Sequence, residues 1–250
     1  MKINLYGYGF VGKAHYELLK PNHKINIIDP LYPDLKLENF NCECAIICVS
    51  TPAHNNGSCN INNVYDCISQ LPNSVPILIK STISLEGWKA IKEAFPDHCI
   101  NFSPEFLRAS NYLNDIKTLE YMYLSEEQPD FWANMFNHYY TNMQFIIAKA
   151  EELILVKYFR NSFLATKVNF FNQVYDLCEA TGLRYDEVCA GITHDNRIGT
   201  SHSEITSNRG FGGHCFPKDI SAILHTAKNH NVDLSLIQEA CNYNIKIRKE

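Results

Sequence analysis

The chain opens on an apolar run, Ile3 to Tyr6, that ends in glycines, and similar short runs follow at Ile25 to Ile28, Ala45 to Val49, Ile77 to Ile79 and Cys99 to Phe102. Stretches of helical periodicity fall between several of them. Short apolar runs alternating with helices are the pattern of a parallel sheet wrapped by crossovers, which predicts an α/β fold with an N-terminal Rossmann-type parallel sheet. Two later runs, Tyr121 to Leu124 and Met143 to Ile147, are candidates to extend that sheet. From about Ala148 the strand signal stops, so the pattern predicts a sheet domain over 1–147 and an all-helical domain over 148–250.

The helical half has its own punctuation. Glu151 to Cys178 contains neither Gly nor Pro and is apolar on nearly every side, which predicts a long central helix buried against more than one neighbour. Thr181-Gly182 reads as its stop and Tyr185 to Ile192 as a short helix. His194 to Gly213 is a long Gly/Ser/Asn-rich loop, of a length that is usually functional or disordered. Pro217 is placed to open another helix to about Lys228, and a last one runs from Asp233 towards the C-terminus.

Charge and cysteine content narrow the partners. The formal net charge is -5, and no Lys/Arg cluster interleaved with aromatics is present to track a phosphate backbone, so nucleic acid is excluded as an expected partner. The ten cysteines are scattered through apolar runs with no CxxC pair. Most are therefore expected to be buried, reduced thiols, with no metal site. The first residues form neither a signal peptide nor a membrane span, and a cytoplasmic protein that does not engage membranes is expected.

Gly7-Tyr8-Gly9-Phe10-Val11-Gly12 is a GxGxxG that follows a predicted strand and opens a helix. The first glycine permits the tight turn, the second lets a pyrophosphate approach the backbone, and the third lets the helix pack on the sheet. Asp29 ends the second strand at a spacing suited to binding ribose hydroxyls, and its charge would repel a 2'-phosphate, so the expected cofactor is NAD rather than NADP. Ser50-Thr51-Pro52 and Ser81-Thr82 lie just past the carboxyl ends of predicted strands, where ligands of open parallel sheets bind. Either hydroxyl pair could instead cap a helix or form a turn.

In the second half, Lys157 and Asn161 interrupt the apolar helix at i,i+4 and so share a face. A buried Lys must reach a ligand, a carboxylate or solvent; a Lys at a helix edge can also snorkel. Gly210-Phe211-Gly212-Gly213-His214-Cys215-Phe216-Pro217-Lys218-Asp219 sets a cysteine just before a predicted helix N-terminus, with glycines giving access. The helix dipole at that position favours thiolate, so Cys215 is a candidate nucleophile as well as a candidate small core residue. Asp219, one turn on, is placed either to orient the Lys or a water, or to complement the dipole.

Taken in order, GYGFVG, CVSTP, KST, SPEFLR, KYFRNSFLATK, RIG and GFGGHCFPKD resemble the UDP-glucose/GDP-mannose 6-dehydrogenase family over essentially the whole chain. The resemblance implies NAD-dependent four-electron oxidation of a nucleotide-sugar C6 alcohol to the acid, in two hydride transfers. It implies that Cys215 adds to the aldehyde stage as a thiohemiacetal and then carries a thioester. Lys157 and Asn161 would stabilise negative oxygen, Asp219 would hold Lys157 or a water, and Glu105 and Thr82 match positions implicated in water activation and proton transfer. The SPEFLR and GFGG segments carry over Glu105, Phe106, Leu107, Arg108, Phe211 and Gly212 as substrate contacts. Arg197 matches an arginine that reaches a partner subunit's substrate site, which implies a homodimer built on the long helix.

Three departures from the family pattern stand out. Ala109 replaces the second acid of PEFLxE, leaving any role in proton transfer or cofactor contact to Glu105 or water. His214 stands where Ser is usual, either tuning the thiolate or facing solvent. Relatives continue past the last helix into a second nucleotide-binding domain, and a separate chain supplying it, a compact variant, a smaller substrate or a degenerate protein are the readings left open. Two other readings compete. A two-domain 3-hydroxyacid dehydrogenase would also use a Lys-xxx-Asn pair but needs no cysteine, and a non-catalytic NAD-binding dimer partner would bind cofactor without thioester chemistry.

Overall fold

The computed structural model describes residues 1–54, 57–213 and 215–249. Five strands, β1 (Lys2–Tyr6), β2 (Lys24–Ile28), β3 (Cys44–Ile47), β4 (Ile77–Ile79) and β5 (Ile100–Phe102), form one parallel sheet in the order β2-β1-β3-β4-β5. Tyr6 pairs with Ile28 on one side and with Ile47 on the other. The strand order therefore reverses beside β1, and the crevice outside the carboxyl ends of β1 and β3 is where such sheets take ligands.

Successive side chains of a strand face opposite ways, so one face of the sheet collects Ile3 and Leu5 of β1, Cys44 and Ile46 of β3 and Leu78 of β4. These pack in one buried core with Ala14, Leu18 and Leu19 of α1 (Phe10–Leu19) and with Trp132, Met135 and Phe136. The last three belong to α5 (Pro129–Asn137), which follows α2 (Asn62–Ser69), α3 (Leu85–Ala94) and the single turn α4 (Tyr112–Asp115).

The two later runs are strands, but they do not join the five-stranded ladder. β6 (Tyr121–Ser125) and β7 (Gln144–Ala148) pair in parallel as a sheet of their own. Side chains take the place of the missing ladder beside β5: the Phe102 N–H donates to Ser125 Oγ at 2.8 Å, and Asn101 Nδ2 donates to the Ser125 carbonyl at 3.1 Å.

The helical half consists of α6 (Ala150–Thr181), α7 (Tyr185–Thr193), α8 (Cys215–Asn229) and α9 (Ser235–Ile247). Without Gly or Pro, α6 runs unbroken for 32 residues, about 48 Å at 1.5 Å per residue. It stops at Gly182, which adopts φ +69 while the Leu183 N–H returns to the Cys178 carbonyl at 2.9 Å, a left-handed helix stop. Its burial is one-sided, contrary to the expectation from its apolar sequence. Ala150, Ile154, Tyr158, Ser162, Ala165, Asn169 and Asn172 form the buried stripe, while Val156, Phe159, Phe163, Phe170 and Leu177 are exposed.

By compactness the chain divides into one unit of Met1–His54 and Cys59–Lys157 and another of Asn55–Ser58 and Tyr158–Glu250. Among the described residues no helix is long and apolar enough to cross a membrane. No group of three or more His, Cys, Asp or Glu side chains among them is placed to hold a metal ion. None of the ten cysteines is in a disulfide, and only Cys44, Cys67 and Cys178 are buried, fewer than the apolar setting of the others suggests.

Candidate active site

The glycine loop is built where the sequence places it. Gly7 has φ +85, its N–H donates to the Ile28 carbonyl at 2.9 Å, and a Cβ there would lie 2.6 Å from the Cys48 carbonyl oxygen. Only glycine fits such a turn. A Cβ on Gly12 would run into the Gly7 carbonyl, so the close seat of α1 on the loop depends on that glycine too, whereas the space beside Gly9 is open. No side chain caps the start of α1. That end of a helix presents backbone N–H groups and a positive dipole to an anion.

Asp29 braces this loop. Its carboxylate accepts the Tyr8 N–H at 2.6 Å and the Leu31 N–H at 2.8 Å; a carboxylate has about four acceptor sites, so capacity for hydroxyl donors remains. A cluster that the motif does not announce sits beside it. Lys13 Nζ donates to Tyr32 Oη at 3.1 Å and lies 5.6 and 5.2 Å from the ring centres of Tyr8 and Tyr32. Its only sequence signal is a lysine directly after the third glycine.

Past the other strand ends, Ser81 Oγ donates to the Val49 carbonyl at 2.8 Å and ties the end of β4 to that of β3. The Thr82 carbonyl accepts Cys59 Sγ at 3.4 Å. Ser50 is exposed, its carbonyl held by Asn63 Nδ2 at 3.0 Å; Thr51 is buried and Pro52 exposed.

Beyond β5 the chain lays Glu105 into a buried polar nest. Glu105 Oε2 accepts His15 Nε2 at 3.1 Å and faces Lys80 Nζ at 3.3 Å, while Oε1 accepts the Phe106 N–H at 2.9 Å. Burial alone would push this carboxyl up, but Lys80, His15 and the Phe106 N–H together hold it well below the carboxylate range. Burial pushes His15 down, and because a carboxylate only accepts, the contact places a proton on Nε2. Lys157 Nζ donates to the Glu105 main-chain carbonyl at 2.7 Å, near the Phe106 ring. Leu107 is buried in the sheet core, and the Arg108 guanidinium forms a two-point pair with Asp115 at 2.5 and 3.0 Å.

In the second unit, Cys215 is the first residue of α8 and is exposed. The helix thus starts two residues earlier than Pro217 suggests; first-turn N–H groups have no intrahelical partner, so a proline there costs no hydrogen bond. Asp219, one turn on, is buried. Its Oδ2 accepts Asn161 Nδ2 at 2.6 Å, and Oδ1 has Lys218 Nζ at 3.4 Å as an ion pair without hydrogen-bond alignment. Phe211 is buried with Ala165 and Ile220. The loop before Cys215 is gripped by α9: Asn244 bonds both polar groups of the Phe211 backbone, and the Arg248 guanidinium lies where a Cβ on Gly212 would point. Arg197 pairs with Asp195 within its own turn, at 2.5 and 3.0 Å, and is exposed. His214 lies outside the described residues.

Residues 150–246 match the central domain of the UDP-glucose/GDP-mannose dehydrogenase family. A UDP-glucose 6-dehydrogenase of Rickettsia bellii is 31% identical over 216 residues, covering 82% of this chain and 49% of that protein. The chain belongs to the UDP-glucose/GDP-mannose dehydrogenase family. It spans about half the length of the first curated relatives it matches. The fold is that of a UDP-glucose dehydrogenase from Pyrobaculum islandicum, with a TM-score of 0.85 at 22% identity over 98% of this chain and 68% of that one. A 3-hydroxyisobutyrate dehydrogenase from Mycobacterium tuberculosis shares the fold at a TM-score of 0.74 and 15% identity, over 98% of this chain and 92% of that one.

His15 and Lys80 are the residues of the buried nest that the motifs did not single out. Lys80 stands in the KST segment, directly before Ser81 and Thr82. His15 sits three residues past the last glycine of the loop, and its partner is 90 residues away, beyond any local pattern.

Proposed function

We propose that the chain is an NAD-dependent dehydrogenase that oxidises the C6 alcohol of a nucleotide sugar, UDP-glucose or a close analogue, to the carboxylate through a covalent Cys215 intermediate. The observation that carries this reading is an exposed Cys215 opening the 15-residue helix α8, with Asn161 and Asp219 bonded to each other one turn further in. A thiol there is accessible to a substrate carbonyl.

Residues 1–147 are assigned to cofactor binding and 148–250 to a helical domain bearing the catalytic side chains. Gly7 to Gly12, with Asp29, would hold the cofactor, since the turn excludes any Cβ at Gly7 and Gly12 but leaves Gly9 open. NAD when bound supplies a two-electron acceptor. The substrate alcohol gives up a hydride and a proton to become an aldehyde, to which the Cys215 sulfur adds. Loss of a second hydride from that thiohemiacetal leaves a thioester, and water then releases the carboxylate and the thiol. Lys157 and Asn161 supply donors to the oxygen that becomes negative, and Asp219 keeps an oxygen for a water or an ammonium. Thr82 is assigned to the water that opens the thioester.

The apolar outer stripe of α6 supports a homodimer through that helix, with Arg197 reaching the neighbour's substrate. A cytoplasmic location completes the proposal. No role with nucleic acid or membranes is assigned.

Counting reduced cofactor per substrate consumed tests the reaction. Two NADH per UDP-sugar, abolished in Cys215→Ala with NAD affinity kept, is the expected result; a stoichiometry of one removes the thioester pathway. That outcome would favour a second reading, a 3-hydroxyacid-type dehydrogenase, which the near full-length likeness to a 3-hydroxyisobutyrate dehydrogenase supports at the level of fold. Lys157→Ala is expected to lower the rate by about 10²-fold or more, as loss of a charge-stabilising donor does.

A further inference from the structure

A carboxylate in hydrocarbon is tolerated only when its oxygens are satisfied. Glu105 meets that demand with two hydrogen bonds and one cation drawn from three parts of the sheet unit: His15 on α1 and the Phe106 N–H after β5 donate to it, and the Lys80 ammonium after β4 pairs with it at 3.3 Å. Lys80 in turn donates to Ser103 Oγ at 2.9 Å. His15 is the least expected of the three. It is fully buried with its ring edge-on to Phe136, and its Nδ1 has no hydrogen-bond partner among the described residues. An apolar side chain would fill that place without leaving a buried acceptor unmet, so packing does not account for a histidine. What the imidazole supplies is the Nε2–H on Glu105.

Glu105 faces two ways. Its carboxylate is fixed from α1, the helix that the glycine loop opens, and its main-chain carbonyl receives the Lys157 ammonium at 2.7 Å. We propose that His15 is a positioning residue, which fixes Glu105 from helix α1 so that the Glu105 carbonyl holds the Lys157 ammonium in its working place. Glu105 is then a positioning residue as well. Its carboxylate, buried and held by two hydrogen bonds and the Lys80 ammonium, serves as an anchor. The role of Lys157 in this account rests on the reaction proposed above; the hydrogen-bond chain from His15 to Lys157 does not.

The test compares His15→Leu, which removes the donor, with His15→Gln, whose amide nitrogen can stand in for Nε2–H. Competitive acetylation of the intact protein, read peptide by peptide by mass spectrometry, gives the reactivity of Lys157 relative to the exposed Lys89 and Lys228. In His15→Leu, Lys157 is expected to react about tenfold faster, the size expected for loosening one charge-assisted hydrogen bond, and His15→Gln is expected to restore its protection. With UDP-glucose as probe, kcat falls in His15→Leu while the NAD dissociation constant is kept.

Unchanged Lys157 reactivity in a folded His15→Leu protein overturns the proposal, as does a His15→Gln protein that behaves like His15→Leu. If His15→Leu does not fold, His15→Asn, smaller and too short to reach Glu105, takes its place with the same expected outcomes. Should the wild type oxidise no nucleotide sugar, the proposed reaction fails, yet the acetylation arm still decides the role of His15.

Discussion

Asn244 closes both ends of its amide on one residue: its Oδ1 accepts the Phe211 N–H at 2.7 Å, and its Nδ2 donates to the Phe211 carbonyl at 3.0 Å. The clamp crosses from α9 to the loop that leads into Cys215. It explains the glycines there. Gly210 has φ +51, and a Cβ on it would strike Asn244 Oδ1; a Cβ on Gly212 would strike the Arg248 guanidinium.

Asn244→Ala should therefore destabilise the protein by about 2–4 kcal/mol, since it leaves two buried backbone groups unpaired. Gly210→Ala should cost more than Gly212→Ala, because the first adds left-handed strain to a clash while the second only displaces the end of a flexible arginine. Denaturant unfolding of the three variants ranks them. A Gly212→Ala protein less stable than Gly210→Ala would show that Arg248, rather than Asn244, fixes the loop.

Cys215 should be the first cysteine to react with iodoacetamide at neutral pH. It is the exposed one, whereas burial pushes the Cys44 and Cys67 thiols up to about 12 and leaves them without thiolate. Partial labelling followed by peptide mapping is expected to find the adduct on Cys215, with NAD binding preserved. An adduct appearing first on Cys42 or Cys189 would deprive Cys215 of its claim to special reactivity.

Local signals in the sequence reached the strands, the glycine loop and the cysteine, and they failed where a side chain from elsewhere decides the outcome. The runs Tyr121 to Leu124 and Met143 to Ile147 are legible as strands, but Ser125 Oγ takes the Phe102 N–H that a continuing ladder would have used. The glycines of GFGG read as access to Cys215, yet Gly210 and Gly212 make room for Asn244 and Arg248 of the last helix. Asp29 is legible by its spacing from the loop it braces. His15 is not, because the histidine acquires meaning only from Glu105, which the chain brings to it from 90 residues away. Apolar periodicity in α6 likewise cannot say whether a stripe is covered by its own chain or by another.

That stripe carries a prediction about assembly. Val156, Phe163, Phe170 and Leu177 recur every seven residues, and all are exposed, Phe163 by 68% and Leu177 by 66%. A seven-residue apolar repeat is the seam of paired helices. Phe163→Glu should convert a dimer into a monomer in analytical ultracentrifugation, since it places a charge in the middle of an apolar contact. A wild type that sediments as a monomer at tens of micromolar concentration, the range where a modest helix seam of this kind is still populated, would exclude this pairing.

Lys13 bears on the cofactor. Its ammonium sits one residue past the glycine loop, held on Tyr32 and flanked by the Tyr8 ring. A cation so placed adds to the attraction of the helix N-terminus for a diphosphate. Lys13→Ala should weaken NAD binding about five- to tenfold, the effect of one charge-assisted contact, with the melting temperature little changed. Titration calorimetry giving an unaltered dissociation constant would confine Lys13 to packing the tyrosines.

The buried imidazole also fixes a pH dependence of stability. Burial holds His15 below its ordinary value of 6.5 in the folded protein, so the unfolded chain takes up a proton first as pH falls. Stability contributed by the neutral His15 is therefore complete above about pH 6.5 and is lost on acidification, with a slope approaching about 1.4 kcal/mol per pH unit for one proton. Glu105 acts in the same direction but only below about 4.5, because its folded value is lowered from there. Between about pH 6.5 and 4.5 the difference between wild type and His15→Gln isolates the histidine, since His23 and His202, also held low by burial, are common to both. Urea unfolding across that range should show the wild type losing stability more steeply than the glutamine variant. Parallel curves would mean that His15 takes its proton inside the fold as readily as outside it, and that the neutral donor on Glu105 is not the form the protein keeps.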